Sequence, residues 1–312
     1  MVSKRTVTVF GASGRQGLAQ VRQLLAHGLG VRAITRSPAR FEQADYEGVS
    51  ARSADYNDFD SLLAVCEGAD AVFFTHPMFE DSIHVNDHIA RVGRAAREAG
   101  VQRLVYNTSS WVPDEPCGQL AYDLNLEREN IFAASGVPLT VIRPVLFMDN
   151  LLTNWVKPGL VNDGVYRYPH APTMAANWIC LDDVAKFMIA SLDREDLIGE
   201  RIVIGGPEAL FPEQVAGILA EAMGKKIQFE FITPRQFGEL MYELFGEVSP
   251  LGREDYAASM DDFYTYVNDT NGRSFRVDMG PVLDRIPIEL TPMVEWAGQQ
   301  DWTLRSDGPS GG

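Results

Sequence analysis

The sequence predicts an α/β fold in which a doubly wound parallel sheet carries a smaller α+β C-terminal part, and three observations support that expectation. Up to about residue 145, short β-rich runs alternate with longer helical patterns, as in a parallel sheet covered by helices on both faces. A glycine-rich turn, Gly11-Ala12-Ser13-Gly14-Arg15-Gln16-Gly17, joins the first strand to the first helix. After Pro144 the alternation decays into proline-marked loops before helical patterns return. With 312 residues, the chain can form one large domain or a large one bearing a smaller one.

The first strand is expected over Thr6 to Phe10, followed by a helix from Gly17 to His27 that stops at Gly28. Strands over Val31 to Thr35 and Val49 to Ala54 come next. A helix from Phe59 to Cys66 ends at Gly68, and a strand covers Ala71 to Thr75. A helix from His84 to Ala99 ends at Gly100 before a strand over Arg103 to Thr108, and a helix from Asp123 to Ser135 ends at Gly136 before a strand over Leu139 to Arg143. Lys157-Pro158-Gly159, Tyr168-Pro169 and Ala171-Pro172 mark irregular loops. Helices are then expected over Leu181 to Leu192, Pro212 to Met223, Pro234 to Phe245 and Asp255 to Val267, with strands over Arg201 to Ile204 and Ile227 to Ile232. The expected division is residues 1–150 for the sheet domain, completed by strands around 175–205, residues 151–305 for the smaller part, and 306–312 for a flexible tail.

Composition excludes several roles. Hydrophobic residues at 46% and charged residues at 22% are those of an ordinary globular protein. The net charge of −16, from 27 basic and 43 acidic residues, repels phosphate backbones, so neither nucleic acid nor an acidic membrane is an expected partner. A local basic site can still hold an anion. Cys66, Cys117 and Cys180 lie far apart with no CxxC pair, which argues against a disulfide framework or a cysteine zinc site and fits a reducing compartment. No apolar run reaches membrane-spanning length and no signal-like segment opens the chain, so the expected location is cytoplasmic.

The glycine turn is where chemistry first shows. It follows an apolar strand and opens a helix, and its glycines permit a tight turn, close approach of a pyrophosphate and close helix–strand packing, the Rossmann arrangement for a dinucleotide. Phosphates there meet unpaired amides and the positive end of the helix dipole. Gly11, Ser13, Gly14, Arg15, Gln16 and Gly17 are therefore candidate cofactor ligands. The spacing is GxxGxxG, a register that resembles short-chain and extended reductases more than lactate-type dehydrogenases. The second strand runs into Arg36, where an NAD-binding chain usually offers an acid to the ribose hydroxyls. An arginine fork suits an additional 2′-phosphate, with Arg15 closing on it from the other side, so the expected cofactor is NADP(H).

Val9 to Gly17, Thr35-Arg36-Ser37-Pro38, Ala54 to Asp58, Phe73-Phe74-Thr75-His76-Pro77 and Val141 to Asn150 together resemble the NmrA-like family, a branch of the atypical short-chain dehydrogenase/reductase superfamily. The resemblance covers roughly residues 5 to 235, with its specific motifs in the cofactor half. It implies that Asp55 and Tyr56 lie by the adenine, that Thr75, His76 and Pro77 lie along the cofactor, and that Asn107, Thr108, Ser109 and Ser110 lie beside the nicotinamide ribose, with Pro144 at the end of the next strand. His76 reads equally as a loop histidine with a backbone partner.

The resemblance also exposes a gap. Classical members of the superfamily use a tyrosine and, four residues on, a lysine that lowers the phenol's pKa, and reducing members of the NmrA-like branch often keep that lysine. Here those positions fall on Ala121 and Asn125, and no lysine occurs between Lys4 and Lys157. Asparagine can orient a ribose or carbonyl but supplies no cation. Tyr122, His76 or water is left to provide a proton, so the catalytic candidates are Tyr122, Asn125 and His76. Quinones suit such a site because their reduction leaves a relatively stable phenolate. Trp111, Tyr122, Phe147, Trp155 and Trp178 could wall an aromatic pocket, and Asn150 matches a family asparagine near it.

The reading is an NADPH-dependent reductase of a small, aromatic or quinone-like compound. The alternative is a non-catalytic NADP(H)-binding redox sensor acting through a regulatory protein partner. An epimerase is disfavoured by the missing pair, and a hydrolase by the absence of Gly-x-Ser-x-Gly. Asp182-Asp183 reads as a helix N-cap. His84 and His88 have helical metal-ligand spacing without a third ligand, so no metal is expected.

Overall fold

A computed structural model of the chain describes residues 5–39, 41, 46–76 and 82–304. Its strands are β1 (Thr6–Phe10), β2 (Gly30–Ile34), β3 (Val49–Arg52), β4 (Ala71–Thr75), β5 (Arg103–Asn107), β6 (Leu139–Pro144), β7 (Leu146–Phe147), β8 (Val165–Tyr168), β9 (Ala176–Ile179), β10 (Arg201–Ile204), β11 (Ala209–Leu210) and β12 (Gln228–Phe231). The main sheet has the order β10-β6-β5-β4-β1-β2-β3, and every neighbouring pair is parallel. This is a Rossmann-type α/β sheet. Its winding reverses at β1, which lies between β2 and β4, so the crevice beyond the C-terminal ends of β1 and β4 is the topological switch point.

Alternation along the strands feeds two cores. Phe73 and Val105 pack on one face with Val21 and Leu24 of α1 (Arg15–Ala26), whereas Val72, Phe74, Leu104 and Tyr106 pack on the other. That second face is covered by Leu62 of α2 (Phe59–Cys66), Ile89 and Val92 of α3 (Ser82–Glu98), and Phe132 of α4 (Leu120–Ala134). A third core, rich in aromatic rings, gathers Tyr166, Tyr168, Trp178, Phe237 and Tyr264 in the C-terminal part.

Several elements differ from expectation for local reasons. Of the strands expected near 175–205, β10 joins the main sheet beside β6, while β9 pairs with β7 and β11 in a separate small sheet. Helix α4 begins at Leu120 and not at Asp123, because the Gln119 side chain accepts from the Ala121 amide at 2.7 Å. Asp123 instead accepts from the Cys117 and Gly118 amides and ties the preceding loop to the first turn. The Asp182-Asp183 pair sits in the first turn of α5 (Leu181–Ala190) but does not cap it, since Cys180 occupies the N-cap. Asp183 is fully buried and accepts from the Thr291 amide at 2.7 Å and from Lys186 Nζ at 2.6 Å, so it anchors a later loop.

A buried ion pair sets the position of α4. Arg143 on β6 donates through Nε and Nη2 to both Glu129 oxygens at 2.8 and 2.7 Å, and Arg201 on β10 reaches the same carboxylate at 3.1 Å. Glu129 is 0% and Arg143 1% exposed. Burial raises the Glu129 pKa, and the hydrogen bonds from Arg143 oppose that rise. Removing Glu129 leaves the buried Arg143 with the exposed Asp114 alone, and removing Arg143 leaves the buried Glu129 with Arg201 alone, a loss of about 3–5 kcal/mol. Glu129→Ala is therefore expected to lower the unfolding free energy in urea by about that amount, and a change below about 1 kcal/mol would contradict the assignment.

Candidate functional site

The turn between β1 and α1 is built on glycine for stated reasons. Gly11 has φ +67°, a left-handed conformation that side chains disfavour. A Cβ on Gly17 would lie 2.2 Å from the Gly11 carbonyl oxygen and 2.7 Å from the Ala12 Cα, so only glycine lets the first turn of α1 pack this closely. The Gly14 amide donates to Gly11 O at 3.0 Å, Ala12 N donates to Ile34 O at 3.0 Å, and Thr35 Oγ1 donates to Ser13 Oγ at 2.8 Å, which lashes the turn to β2. Arg15, Gln16 and Gly17 open α1, where the helix supplies no acceptors for its first amides. A side-chain-free cradle facing such amides fits a pyrophosphate.

Arg36 lies exposed just past β2. Arg15 does not turn towards it, because its Nη1 donates to the Asp149 carbonyl at 2.9 Å, so the expected pair of arginines around one phosphate is not what the structure shows. Asp55 is exposed and accepts from the Asn57 amide at 2.8 Å. Tyr56 is half-buried against Phe10 and Phe74 and stacks on His88 with ring centroids 5.0 Å apart. His84 is exposed while His88 is buried, and among the described residues no cluster of ligands could hold a metal ion.

The ends of β4 and β5 meet the turn through a polar network. Thr75 Oγ1 accepts from Gln20 at 3.3 Å. Asn107 is fully buried, and its amide nitrogen donates to Gln16 Oε1 at 2.7 Å while its oxygen accepts from the Ser109 amide at 2.9 Å. Gln16 Nε2 in turn donates to Ser109 Oγ at 3.0 Å. Ser109 has φ +62°, a conformation rare outside glycine, which this ring of bonds holds in place. Thr108 is buried with its hydroxyl on the Ser110 carbonyl at 2.6 Å, and Pro144 is buried at the end of β6. Pro77 lies outside the described residues.

A second chain of contacts runs behind this ring. Asn125 Nδ2 donates to Ser110 Oγ at 2.8 Å, and Arg128 Nη1 donates to Asn125 Oδ1 at 2.8 Å and to His76 Nε2 at 3.2 Å. An arginine can only donate, so His76 Nε2 accepts and the neutral ring carries its hydrogen on Nδ1, which points to Tyr106 Oη at 3.0 Å. Burial, reinforced by the Arg128 charge, pushes the His76 pKa down to about 3. His76 is thus a neutral tether and not a proton donor at neutral pH.

Tyr122 also departs from its expected role. It is 0% exposed, its hydroxyl donates to Ser274 Oγ at 2.8 Å, and burial raises its pKa. The aromatic residues expected to share one wall separate into groups. Trp111 and Tyr122 pack edge to face at 5.0 Å, with Phe263 and Tyr266 beside Tyr122. Trp155 packs on Tyr168 and Phe237, and Trp178, 2% exposed, packs on Tyr168 and His170 as part of the C-terminal core. Phe147 packs against the first sheet core. Asn150 is half-buried in the turn Met148–Leu152, its carbonyl accepting from Thr153 Oγ1 at 2.6 Å. Arg128 and Tyr106 were not among the expected site residues. The available signal for Arg128 was its position three residues beyond Asn125, on the same helix face.

Comparison with known proteins places this geometry in context. The family model described as "NmrA-like family" matches residues 3–297. An NAD(P)H azoreductase of Xenophilus azovorans is 26% identical over 86% of this chain and 95% of its own length. A (4-alkanoyl-5-oxo-2,5-dihydrofuran-3-yl)methyl phosphate reductase of Streptomyces griseus subsp. griseus is 32% identical over 72% of this chain and 76% of its own. The crystal structure of an NADPH-dependent quinone oxidoreductase of Escherichia coli complexed with NADPH superposes with a TM-score of 0.73 and 20% identity, covering 93% of this chain and 98% of that one.

The histidines give a test of the site's electrostatics. His170, 1% exposed in the aromatic core, has its pKa lowered to about 3 by burial, as His76 has by burial and Arg128. Unfolded imidazoles take up a proton near pH 6.5. The stability that both neutral rings contribute is present above that pH and is lost as pH falls towards 3. The ring-proton shifts of both residues are expected to stay flat from pH 8 to 5 by NMR, while the urea midpoint declines below pH 6.5. A titration of either native ring near pH 6.5 would contradict the placement.

Proposed function

The chain belongs to the NmrA-like family, and on that premise we propose that it is an NADPH-dependent reductase of a small, aromatic or quinone-like compound. The observation that carries this reading is the cradle at the switch point, where a Cβ on Gly17 would collide with Gly11 and where Arg36, not an acid, follows the neighbouring β2. In support, the azoreductase and the phosphate reductase are reductases by name, and the quinone oxidoreductase is complexed with NADPH.

On this reading Gly11, Ser13, Gly14, Gln16 and Gly17 would hold the pyrophosphate, with Arg15 at the helix start. Arg36 would hold the 2′-phosphate, and Asp55 and Tyr56 the adenine side. Thr75, Asn107, Thr108, Ser109 and Pro144 would border the nicotinamide half. The cofactor supplies a hydride when bound. The chain's own part is positioning, since the ring of bonds through Gln16, Asn107 and Ser109 fixes the floor against which a substrate must lie. Among the described residues no helix is long and apolar enough to cross a membrane.

One observation favours a second reading, a non-catalytic NADP(H)-binding sensor with a protein partner. No phenol faces the site in the usual place, for Ala121 is exposed and carries no hydroxyl while Tyr122 turns its own to Ser274.

Purified protein is expected to bind NADPH more tightly than NADH, and Arg36→Ala to weaken NADPH by about tenfold while leaving NADH within about twofold, as loss of a charge-assisted contact requires. Equal or tighter NADH binding by the unmodified protein would sink the preference. With a panel of quinones, azo compounds and enones, loss of nicotinamide absorbance is expected for at least one class. Tight binding with complete inactivity would leave the sensor reading in its place.

A further inference from the structure

Two adjacent positions in α4 treat their charges differently. The Glu129 carboxylate is fully matched by Arg143 and Arg201. Arg128 is only 9% exposed, yet among the described residues no carboxylate lies within ion-pair distance of it, and its Nε is a buried donor without a partner. What faces it is neutral: the Asn125 amide, the His76 ring held in its uncharged form, and the Tyr106 phenol, whose pKa burial raises. Glu127, on the same helix, is exposed and makes no ion pair with Arg128; its charge and Tyr106 only partly offset the burial that lowers the Arg128 pKa. A buried cation without a counter-ion is unfavourable, so a site that keeps one is suited to an anion that arrives or forms there.

The charge has a path to the cleft. Arg128 donates to Asn125 Oδ1, and Asn125 Nδ2 donates to Ser110 Oγ, each at 2.8 Å. The path ends on the half-buried Ser110 hydroxyl, just past β5 and next to the left-handed Ser109. That hydroxyl donates only to the adjacent Trp111 carbonyl, at 3.2 Å, a long contact that a stronger acceptor can replace.

We propose that Ser110, Asn125 and Arg128 form an oxyanion site, in which the Ser110 hydroxyl donates to the substrate oxygen that becomes negative on reduction and Arg128 is a positioning residue whose charge, through Asn125, orients and polarises that hydroxyl. This rests on the reductase reading and narrows its substrates to quinones and conjugated ketones. When a conjugated ketone takes a hydride from NADPH, a C–H bond forms at the β-carbon, the C=C pair moves through the carbon framework onto oxygen, and an enolate and NADP⁺ result. A proton from water then reaches the α-carbon. The enolate or phenolate oxygen is the anion the Arg128 charge matches, and no tyrosine is needed to protonate it in the same step. Preorganised donors aimed at a developing oxyanion are worth about 10²–10³ in rate where measured.

The test uses 4-nitrophenol as a chromophoric phenolate, titrated against pH on the full-length protein with saturating NADP⁺. Bound to the unmodified protein, the probe is expected to ionise at lower pH than in free solution, to keep that shift in Arg128→Lys and to lose it in Arg128→Gln. Ser110→Ala, which leaves Arg128 and its surroundings intact, is expected to lose the shift as well and guards against poor folding of Arg128→Gln, with thermal melts run on all variants. Turnover of a conjugated ketone is expected to fall at least about tenfold in Arg128→Gln, with the KM for NADPH within about threefold. Ionisation at one pH in all four proteins, or at the free-solution pH on the unmodified one, would overturn the oxyanion site. An Arg128-dependent shift in a protein that oxidises no NADPH would instead uphold the site and remove the reductase reading.

Discussion

The close packing of Gly17 on Gly11 governs where everything else in the site can be. A helix whose first turn packs so closely that a Cβ on Gly17 would lie 2.2 Å from the Gly11 carbonyl oxygen is fixed in both distance and direction, and that fixes the positive end of its dipole over the switch point of the sheet. The same closeness brings Gln16, on the first turn, within reach of Asn107 and Ser109 at the end of β5, two strands away from β1. Turn, helix start and strand end are thereby one rigid unit. Loops elsewhere can vary around it without moving the floor of the cleft.

Electrostatics divide the same region into scaffold and site. Arg143 is buried between the carboxylates of Glu129 and Asp114, and with Arg201 on the same Glu129 it forms a structural joint between β6, β10 and α4. Arg128, one residue before the glutamate of that joint, is buried among neutral partners. Because the joint holds α4 in register, the chain from Arg128 through Asn125 to Ser110 has little freedom to relax. Ala121 and Asn125 stand where the resemblance led us to expect a tyrosine and a lysine, and the buried guanidinium lies three residues beyond Asn125.

Much of this was legible in the sequence because it depends on short-range patterns. Alternating strands and helices, glycine stops at Gly28, Gly68, Gly100 and Gly136, all with positive φ, and the GxxGxxG turn each follow from local chemistry. The capped helices Pro212–Met223 and Pro234–Phe245 were legible to the residue. What escaped is non-local. Strands as short as Leu146–Phe147 and Ala209–Leu210 exist only because a partner lies beside them. The fate of a side chain at the site was equally hidden, since Tyr122 and Trp178 carry the residue types of a substrate wall but their helix and strand turn them into the interior. Conversely, Arg128 reads as an ordinary surface charge until the fold removes its solvent without giving it an acid.

The most direct measurement is a single turnover of the purified protein with NADPH carrying deuterium at both C4 positions and a conjugated ketone in excess, with the product analysed by mass spectrometry. A product bearing one deuterium at the β-carbon, formed at one equivalent per bound NADPH oxidised, is the predicted result. Stoichiometrically bound NADPH that stays reduced, or a reduced product free of deuterium, would contradict direct hydride transfer at this site.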